Sequence, residues 1–254
     1  MKMIYSLYID IPSEDLDYQR PYYGDDMPKT QRTKLQFKEH YDRLKLSHKQ
    51  YAYDTNIEYE LFEYDEQYKE YHKMFDVIPV TNENFFDVWD LKDGVAILNN
   101  NDDYSLRMQY RSMFNISGTS NRSPVAKYWN TKAMLFDGEH KTKTDVFNTG
   151  IIGIDKEHIE KLDYFGDFDK TIELMTRVKN DTSFYPKNII DMFGYDNETI
   201  WAYKTKINKI KSQWLDKQWH FFYDPTDNWI PKNSKLVHCI NKRFDDVWKF
   251  KSNI

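Results

Sequence analysis

The chain has 254 residues, 40% of them hydrophobic, which is enough to bury one sizeable α/β core or two small ones. Its net charge of −5 provides no overall basic field that would attract nucleic acid or an anionic membrane. The single cysteine, Cys239, excludes an internal disulfide and favours a reducing compartment. Because no run approaches the roughly 18 apolar residues of a membrane span, we expect a cytosolic protein without a membrane segment.

The first third of the chain alternates predicted strands and helices. Residues 4–11 are rich in β-formers and stop at Pro12, which indicates a buried first strand. Residues 29–51 predict a helix, residues 57–64 alternate as a second strand, and a further helix is predicted to begin at Asp65. This order favours a parallel sheet covered by helices, in which ligands gather at the carboxyl ends of the strands.

The middle of the chain predicts shorter elements. Residues 76–80 and 95–98 read as buried strands, with a helical turn at 84–89 between them. Residues 99–120 have weak periodicity and many Asn and Ser residues, the profile of a long surface loop. The apolar residues 133–135 are compatible with one more strand.

The stretch DVFNTGIIGID, residues 145–155, is a run of β-formers interrupted by Gly150 and Gly153. Glycine weakens a strand, so two of them suggest close approach of a ligand or another backbone. Asp155 is placed as the N-cap of a short helix over residues 156–162. From spacing alone, a buried strand with a bulge is the first interpretation.

The last part of the chain predicts an amphipathic helix over residues 167–179, then a turn and a second helix capped by Asp196 or Asn197. Residues 235–240 predict a closing strand. Because we find no internal repeat and no linker, we predict a single domain.

The sequence FNTGIIGID, residues 147–155, resembles the F-N-x-G-x-x-x-[ILV] strand of glycosyltransferases with the GT-A fold, in particular the glycogenin and galactosyltransferase-like family 8. The resemblance implies one GT-A-like domain over the whole chain, with a mostly parallel, Rossmann-like sheet flanked by helices. The nucleotide-binding half would span about 1–100, and the acceptor and sugar half about 101–254. In that family the asparagine and glycine, here Asn148 and Gly150, face the donor sugar.

The C-terminal HCINK is similar to the family's H-x-x-G-x-x-K-P-W pattern, with shorter spacing, Asn241 in place of the glycine and no proline. The resemblance implies that His238 ligates a metal and that Lys242 contacts the donor diphosphate. A lone histidine on an apolar strand is alternatively a packed, hydrogen-bonded core residue.

The GYDNET segment matches, by its place in the chain, the family's pair of residues beside the anomeric carbon. Asp196 and Asn197 would then orient the acceptor hydroxyl and stabilise oxocarbenium-like charge. Their alternative role is to cap a helix, and the two roles are compatible. Glu198 is a possible base if the reaction inverts the anomeric centre.

The family's D-x-D metal motif is incomplete here. The segment DVIPVTNENFFDVWD resembles the region after that motif in a phage-type group of members, and Asp76 stands for its second aspartate. The first would fall on Met74, which cannot bind a hard cation. Either the chain has lost an internal segment or Asp76 begins a rearranged edge. Asp102 and Asp103 are possible oxygen ligands, although a polar loop is the simpler interpretation.

The resemblance therefore implies a metal-dependent glycosyltransferase that uses Mn²⁺ or Mg²⁺ and a nucleotide-sugar donor, with a UDP-sugar preferred. Asp10, at the end of the first strand, would lie near the nucleobase. The acceptor is a glycan, a protein or a modified DNA base. One alternative is a catalytically impaired descendant that still binds a sugar or nucleotide. Another is a phage enzyme that glycosylates modified DNA bases in the host cytoplasm.

Overall fold

The computed structural model describes residues 2–9, 29–64, 75–100, 124–181, 183, 187–190, 193–223, 228–240 and 242–253. Their elements, in chain order, are β1 (Met3–Ile9), α1 (Lys29–Asp54), β2 (Glu58–Tyr64), β3 (Val77–Pro79), α2 (Phe85–Val88), a 3₁₀ turn (Leu91–Asp93), β4 (Val95–Asn99), α3 (Pro124–Asp137), β5 (Phe147–Gly153), α4 (Lys156–Leu162), α5 (Phe168–Asn180), α6 (Lys187–Ile190), α7 (Asn197–Ile207), β6 (Ser212–Trp214), β7 (Phe221–Phe222), β8 (Leu236–His238) and α8 (Phe244–Lys251).

The chain divides into two compact units. The first unit comprises Met1–Val88 together with Asp216–Ile254, and the second unit is Trp89–Leu215. These bounds differ from the predicted halves, because the C-terminal segment belongs with the N-terminal one. The prediction of a single GT-A-like domain stays a prediction.

The first unit contains two small sheets. Strands β1 and β2 pair in parallel, as the strand–helix–strand order predicted. The other sheet has the order β3–β8–β7, in which β8 runs antiparallel to β3 and parallel to β7. Helices α1 and α8 contribute to the core around this sheet, which includes Leu44, Ile78, Tyr223, Val237, Phe244, Val247 and Trp248.

The second unit contains a sheet of order β5–β4–β6, with β4 antiparallel to β5 and parallel to β6. The β4–β5 register shifts between Ile97 and Leu98, so the strand that carries the FNTG motif pairs irregularly, as its two glycines suggested. Helices α3, α5 and α7 pack around a separate core of Ala133, Met134, Leu135, Leu174, Met175, Phe193, Ile200 and Tyr203.

The predicted α/β class is confirmed, and the described sheets are small: one is a parallel pair, and the two three-stranded sheets are mixed. Strands and helices were predicted close to their observed bounds for β1, α1, β2, β3, β4, β5, α4, α5, α7 and β8. The helix predicted from Asp65, the loop at 99–120 and the residues Asp10, Met74, Asp102 and Asp103 lie outside the described residues, wholly or in large part.

The strand suggested at residues 133–135 is wrong, because these residues form the last part of α3. The sequence of α3 nevertheless contains signals of a helix. Pro124 stands at the first helical position, where its missing N–H costs nothing. Ala126, Asn130, Ala133 and Met134 are buried at helical spacing.

Candidate functional site

In the first unit, a β-ladder brings Asp76 beside His238. Asp76 directly precedes β3, and His238 ends β8. The antiparallel register places Val77 opposite His238, and the Cys239 N–H donates to the Asp76 carbonyl oxygen at 2.7 Å. Two residues from distant parts of the sequence are therefore fixed at one end of the same strand pair.

The carboxylate of Asp76 contacts two basic side chains. Its Oδ1 lies 3.1 Å from Nε2 of His238, and its Oδ2 forms an ion pair with the Lys242 ammonium. Lys242 has a left-handed backbone (φ 60°), and its N–H donates to the Cys239 carbonyl oxygen at 3.1 Å. This turn directs the lysine back towards Asp76.

The electrostatics of this cluster favour an ionised aspartate. Burial by itself would raise the pKa of the Asp76 carboxyl. The adjacent charges of His238 and Lys242, and the hydrogen bonds from both, outweigh burial and lower that pKa well below its usual value. Asp76 is therefore a permanent negative charge next to a buried imidazole.

His220 is a member of this cluster that sequence reasoning missed. It directly precedes β7, which pairs with β8, and its Nε2 lies 3.0 Å from Nδ1 of His238. Burial, then the charge of His238, lowers the pKa of His220 well below its usual value, so its ring is neutral. No local sequence signal links the two residues, because cross-strand pairing alone brings them together.

In the second unit, the FNTG motif meets the N-terminus of α7. The Asn197 amide donates to Thr149 Oγ1 at 2.9 Å, and the Thr149 N–H donates to Glu198 Oε1 at 3.1 Å. Asn148 is buried, and its Oδ1 accepts from the Gly150 N–H at 3.0 Å. The structure thus brings together Asn148, Gly150 and Asn197, three residues that the resemblance assigned to the sugar.

Lys127 completes this second cluster and was not foreseen. Its ammonium forms an ion pair with Glu198 Oε2, and both side chains are largely buried. Since the other Glu198 oxygen accepts from Thr149, both carboxylate oxygens have partners. The possible role of Glu198 as the base of an inverting reaction stays a prediction.

Asp196 caps α7, which decides between Asp196 and Asn197, the two caps that the sequence allowed. Its Oδ1 accepts from the Thr199 N–H and its Oδ2 from the Thr199 hydroxyl, both at 2.7 Å. Burial raises the pKa of the Asp196 carboxyl, although the bonds from Thr199 and the charge of Lys127 oppose that rise. The capping role is observed, and the catalytic role implied by the resemblance stays a prediction.

Among the described residues, no group of three or more His, Cys, Asp and Glu side chains is arranged to hold a metal ion. Asp76 and His238 provide two side chains of these types. Their contacts with each other, with Lys242 and with His220 are also those expected of a packed, hydrogen-bonded core histidine.

Comparisons with protein-family models, curated proteins and solved structures found no match to this chain. None of the helices in the described part of the chain combines the length and apolar character needed to cross a membrane.

Proposed function

We propose that this chain is a metal-dependent glycosyltransferase of GT-A-like fold that uses a nucleotide-sugar donor, preferably a UDP-sugar. The observation that carries the proposal is the meeting of Asp76, His238 and Lys242 at one end of a strand pair. These are the three residues that the family resemblance assigned to the metal and the diphosphate.

The pair of Asp76 and His238 fits a divalent cation such as Mn²⁺ or Mg²⁺. Asp76 and His238 would hold such an ion through a carboxylate oxygen and an imidazole nitrogen. The carboxylate oxygen and the imidazole nitrogen are 3.1 Å apart. A histidine that ligates through Nε2 would carry its proton on Nδ1, and His220 Nε2 lies 3.0 Å away, where it would accept the hydrogen bond. The His220 proton would then be on Nδ1, which has no hydrogen-bond partner among the described residues. His220 is therefore a positioning residue, which holds the His238 ring.

The bound ion would stabilise the negative charge of the departing diphosphate. The other ligands would come from donor phosphate oxygens and water, as is usual for sites with few protein carboxylates. Lys242 neutralises Asp76 in the structure. We assign it a second role, in which its ammonium would contact the donor diphosphate once a cation neutralised Asp76 in its place.

On the sugar side, the proposal gives Asn148, Asp196 and Asn197 orienting roles. The carbonyl oxygen of the Asn148 side chain is held by Gly150, so we assign the contact with a sugar hydroxyl to its NH₂ group. Asp196 is held by Thr199, which fixes a carboxylate of raised pKa at the start of α7. Such a fixed carboxylate supports positioning of the acceptor hydroxyl.

A second function is favoured by one specific observation. Asp76 is already neutralised by Lys242 and His238, and these are the groups that a cation must compete with. A non-catalytic protein that binds a sugar or a nucleotide would retain this closed cluster and perform no transfer.

The test is a screen of nucleotide sugars with Mn²⁺ in which release of the nucleoside diphosphate is measured without an acceptor. We expect slow hydrolysis of one donor, and a loss of roughly 10- to 100-fold or more in His238→Ala. His158→Ala is the control, since His158 packs against Asp155 at the start of α4. An unchanged rate in His238→Ala would remove the proposed metal site. A thermal shift with nucleotide but no turnover would establish the binding protein instead.

A further inference from the structure

An open groove of about 610 Å³ runs along one face of α3 and the segment that follows it. Trp129, Lys132 and Phe136 stand at positions i, i+3 and i+7 of α3, so they share one side of the helix. The groove is also lined by Leu135, His140, Lys141, Thr142 and Lys143. Its volume is in the range of ligand sites, which is about 300–1,000 Å³.

The lining of the groove is positively charged. It includes Lys132, Lys141 and Lys143, and none of the lining residues is acidic. Three acidic residues lie close to the groove in the sequence, Asp137, Glu139 and Asp145, and none of them lines it. Glu139 is exposed, whereas the two aspartates have cationic partners. Asp137 pairs with Arg177, and Asp145 pairs with Lys206. The lining itself therefore carries three lysines and no carboxylate, on a chain whose net charge is −5, and this lining is complementary to an anion.

Aromatic rings lie among these cations. The Phe136 side chain is 58% exposed, and the Lys132 ammonium lies 4.7 Å from the centre of the Trp129 ring. Lysines interleaved with an accessible aromatic ring suit a ligand in which flat rings and negative charges alternate. Single-stranded nucleic acid has this chemistry, since its bases stack on aromatic side chains and its phosphates contact lysine.

We propose that this groove binds single-stranded nucleic acid, with bases stacked on Phe136 and phosphates held by Lys132, Lys141 and Lys143. The groove belongs to the second unit, and the proposal does not depend on the metal site or on glycosyl transfer. An acidic peptide or an anionic membrane would use the lysines but would gain no base stacking on the phenylalanine ring.

The experiment is fluorescence anisotropy of a labelled oligothymidylate of about 12 nucleotides, within the site sizes of about 4–16 known for such proteins. The full chain is titrated without nucleotide sugar at several salt concentrations. Three phosphate contacts predict a slope of about −2 in a plot of log affinity against log salt. We expect Lys132→Gln/Lys141→Gln/Lys143→Gln to lose affinity by roughly 10-fold or more at low salt, and Phe136→Ala by about 5- to 150-fold.

Matched controls distinguish binding in this groove from the effects of losing any three lysine charges or any exposed aromatic ring. Lys156→Gln/Lys161→Gln/Lys211→Gln makes the same charge change at exposed lysines of the second unit, and Phe165→Ala removes a ring that is 79% exposed. Both should bind like the unmutated chain. Circular dichroism checks that the triple variant folds. If it does not, each of the three single lysine variants should show a smaller loss of affinity for the oligonucleotide.

Three outcomes would overturn the proposal. In the first, the oligonucleotide does not bind, or the groove variants bind it as well as the controls do. In the second, thymidine monophosphate binds as tightly as the oligonucleotide, which would make the groove a mononucleotide pocket. In the third, the chain binds phosphatidylserine vesicles but not the oligonucleotide, which would make it a membrane-contact surface.

Discussion

The two units organise their candidate site residues by different physical means. In the first unit, Asp76 is surrounded by Lys242 and the buried histidines, so the cluster is held mainly by charge. In the second unit, the FNTG strand is joined to the start of α7 by hydrogen bonds and one buried ion pair. Under the proposed function, the first arrangement would exchange a basic partner of Asp76 for a cation, whereas the second fixes the orientation of its side chains. The first unit is therefore the place to test for metal and pH effects, and the second for effects on rigidity.

The largest effect on stability should come from the buried pair in the second unit. Lys127→Met leaves Glu198 buried without its cation, and removal of one partner of such a pair costs about 3–5 kcal/mol of unfolding free energy. Urea denaturation measures the loss. The control is Lys170→Met, because its ion pair with Asp167 is exposed and should change stability by less than about 1 kcal/mol.

The double variant Lys127→Met/Glu198→Gln sharpens this result. It removes both charges, so it should recover part of the loss seen in Lys127→Met. Strictly additive losses would contradict a direct interaction between the two side chains.

In the first unit, we expect acid to destabilise the fold through His48. Its Nε2–H donates to the Val77 carbonyl oxygen and its Nδ1 accepts from the Ser6 hydroxyl, both at 2.6 Å. Burial, opposed by the bond to Val77 and aided by the charge of Lys251, lowers the pKa of His48 to about 4. Between about pH 6.5 and 4, the His48 imidazole is protonated in the unfolded chain but neutral in the folded chain. The free energy of unfolding therefore falls as the pH drops through this range, by about 3 kcal/mol in total.

Urea denaturation across this pH range measures the slope of the free energy of unfolding against pH. His48→Gln should flatten it, and part of it should remain because His220 is also held neutral by burial. His140→Gln is the control, since His140 is exposed, and it should leave the slope unchanged. A slope that persists in full in His48→Gln would contradict the assignment.

The smallest expected effect separates two roles of Asp196. Asp196→Ala removes the cap of α7 and should cost about 1 kcal/mol of unfolding free energy. Asp196→Asn keeps a good capping side chain but loses the charge, so its stability should stay close to that of the unmutated chain. If Asp196 acts in transfer, Asp196→Asn will nevertheless lower the turnover of the donor found in the screen. Equal turnover in Asp196→Asn and the unmutated chain would limit Asp196 to its capping role.

Helices, strands and caps that have a signal within a few residues were predicted well from the sequence. Asp155 is predictable as a cap, and the cap of α7 is narrowed to Asp196 or Asn197, because a capping side chain acts within a few residues. Residues 133–135 were misread because a short apolar run has the same appearance in a strand and in a buried helix. The helix is recognised only when the spacing back to Pro124 and Ala126 is included.

The side chains that contact the site residues were predicted less completely, because they are far from those residues in the sequence. His220 meets His238 through the pairing of β7 with β8, and Lys127 meets Glu198 through the packing of α3 against α7. Neither partner has a motif of its own. The meeting of Asp76 with His238 was predicted only through resemblance to a family, since no periodicity connects the two residues.

The most direct test of the central claim is Mn²⁺ binding to the full chain in the presence of UDP, measured by electron paramagnetic resonance of the free ion. We predict saturable binding that weakens by roughly 10- to 100-fold or more in Asp76→Asn. It should be unchanged in Asp245→Asn, an exposed aspartate of the same unit. Equal Mn²⁺ binding by Asp76→Asn and the unmutated chain, or none by either, would contradict a metal site at Asp76 and His238.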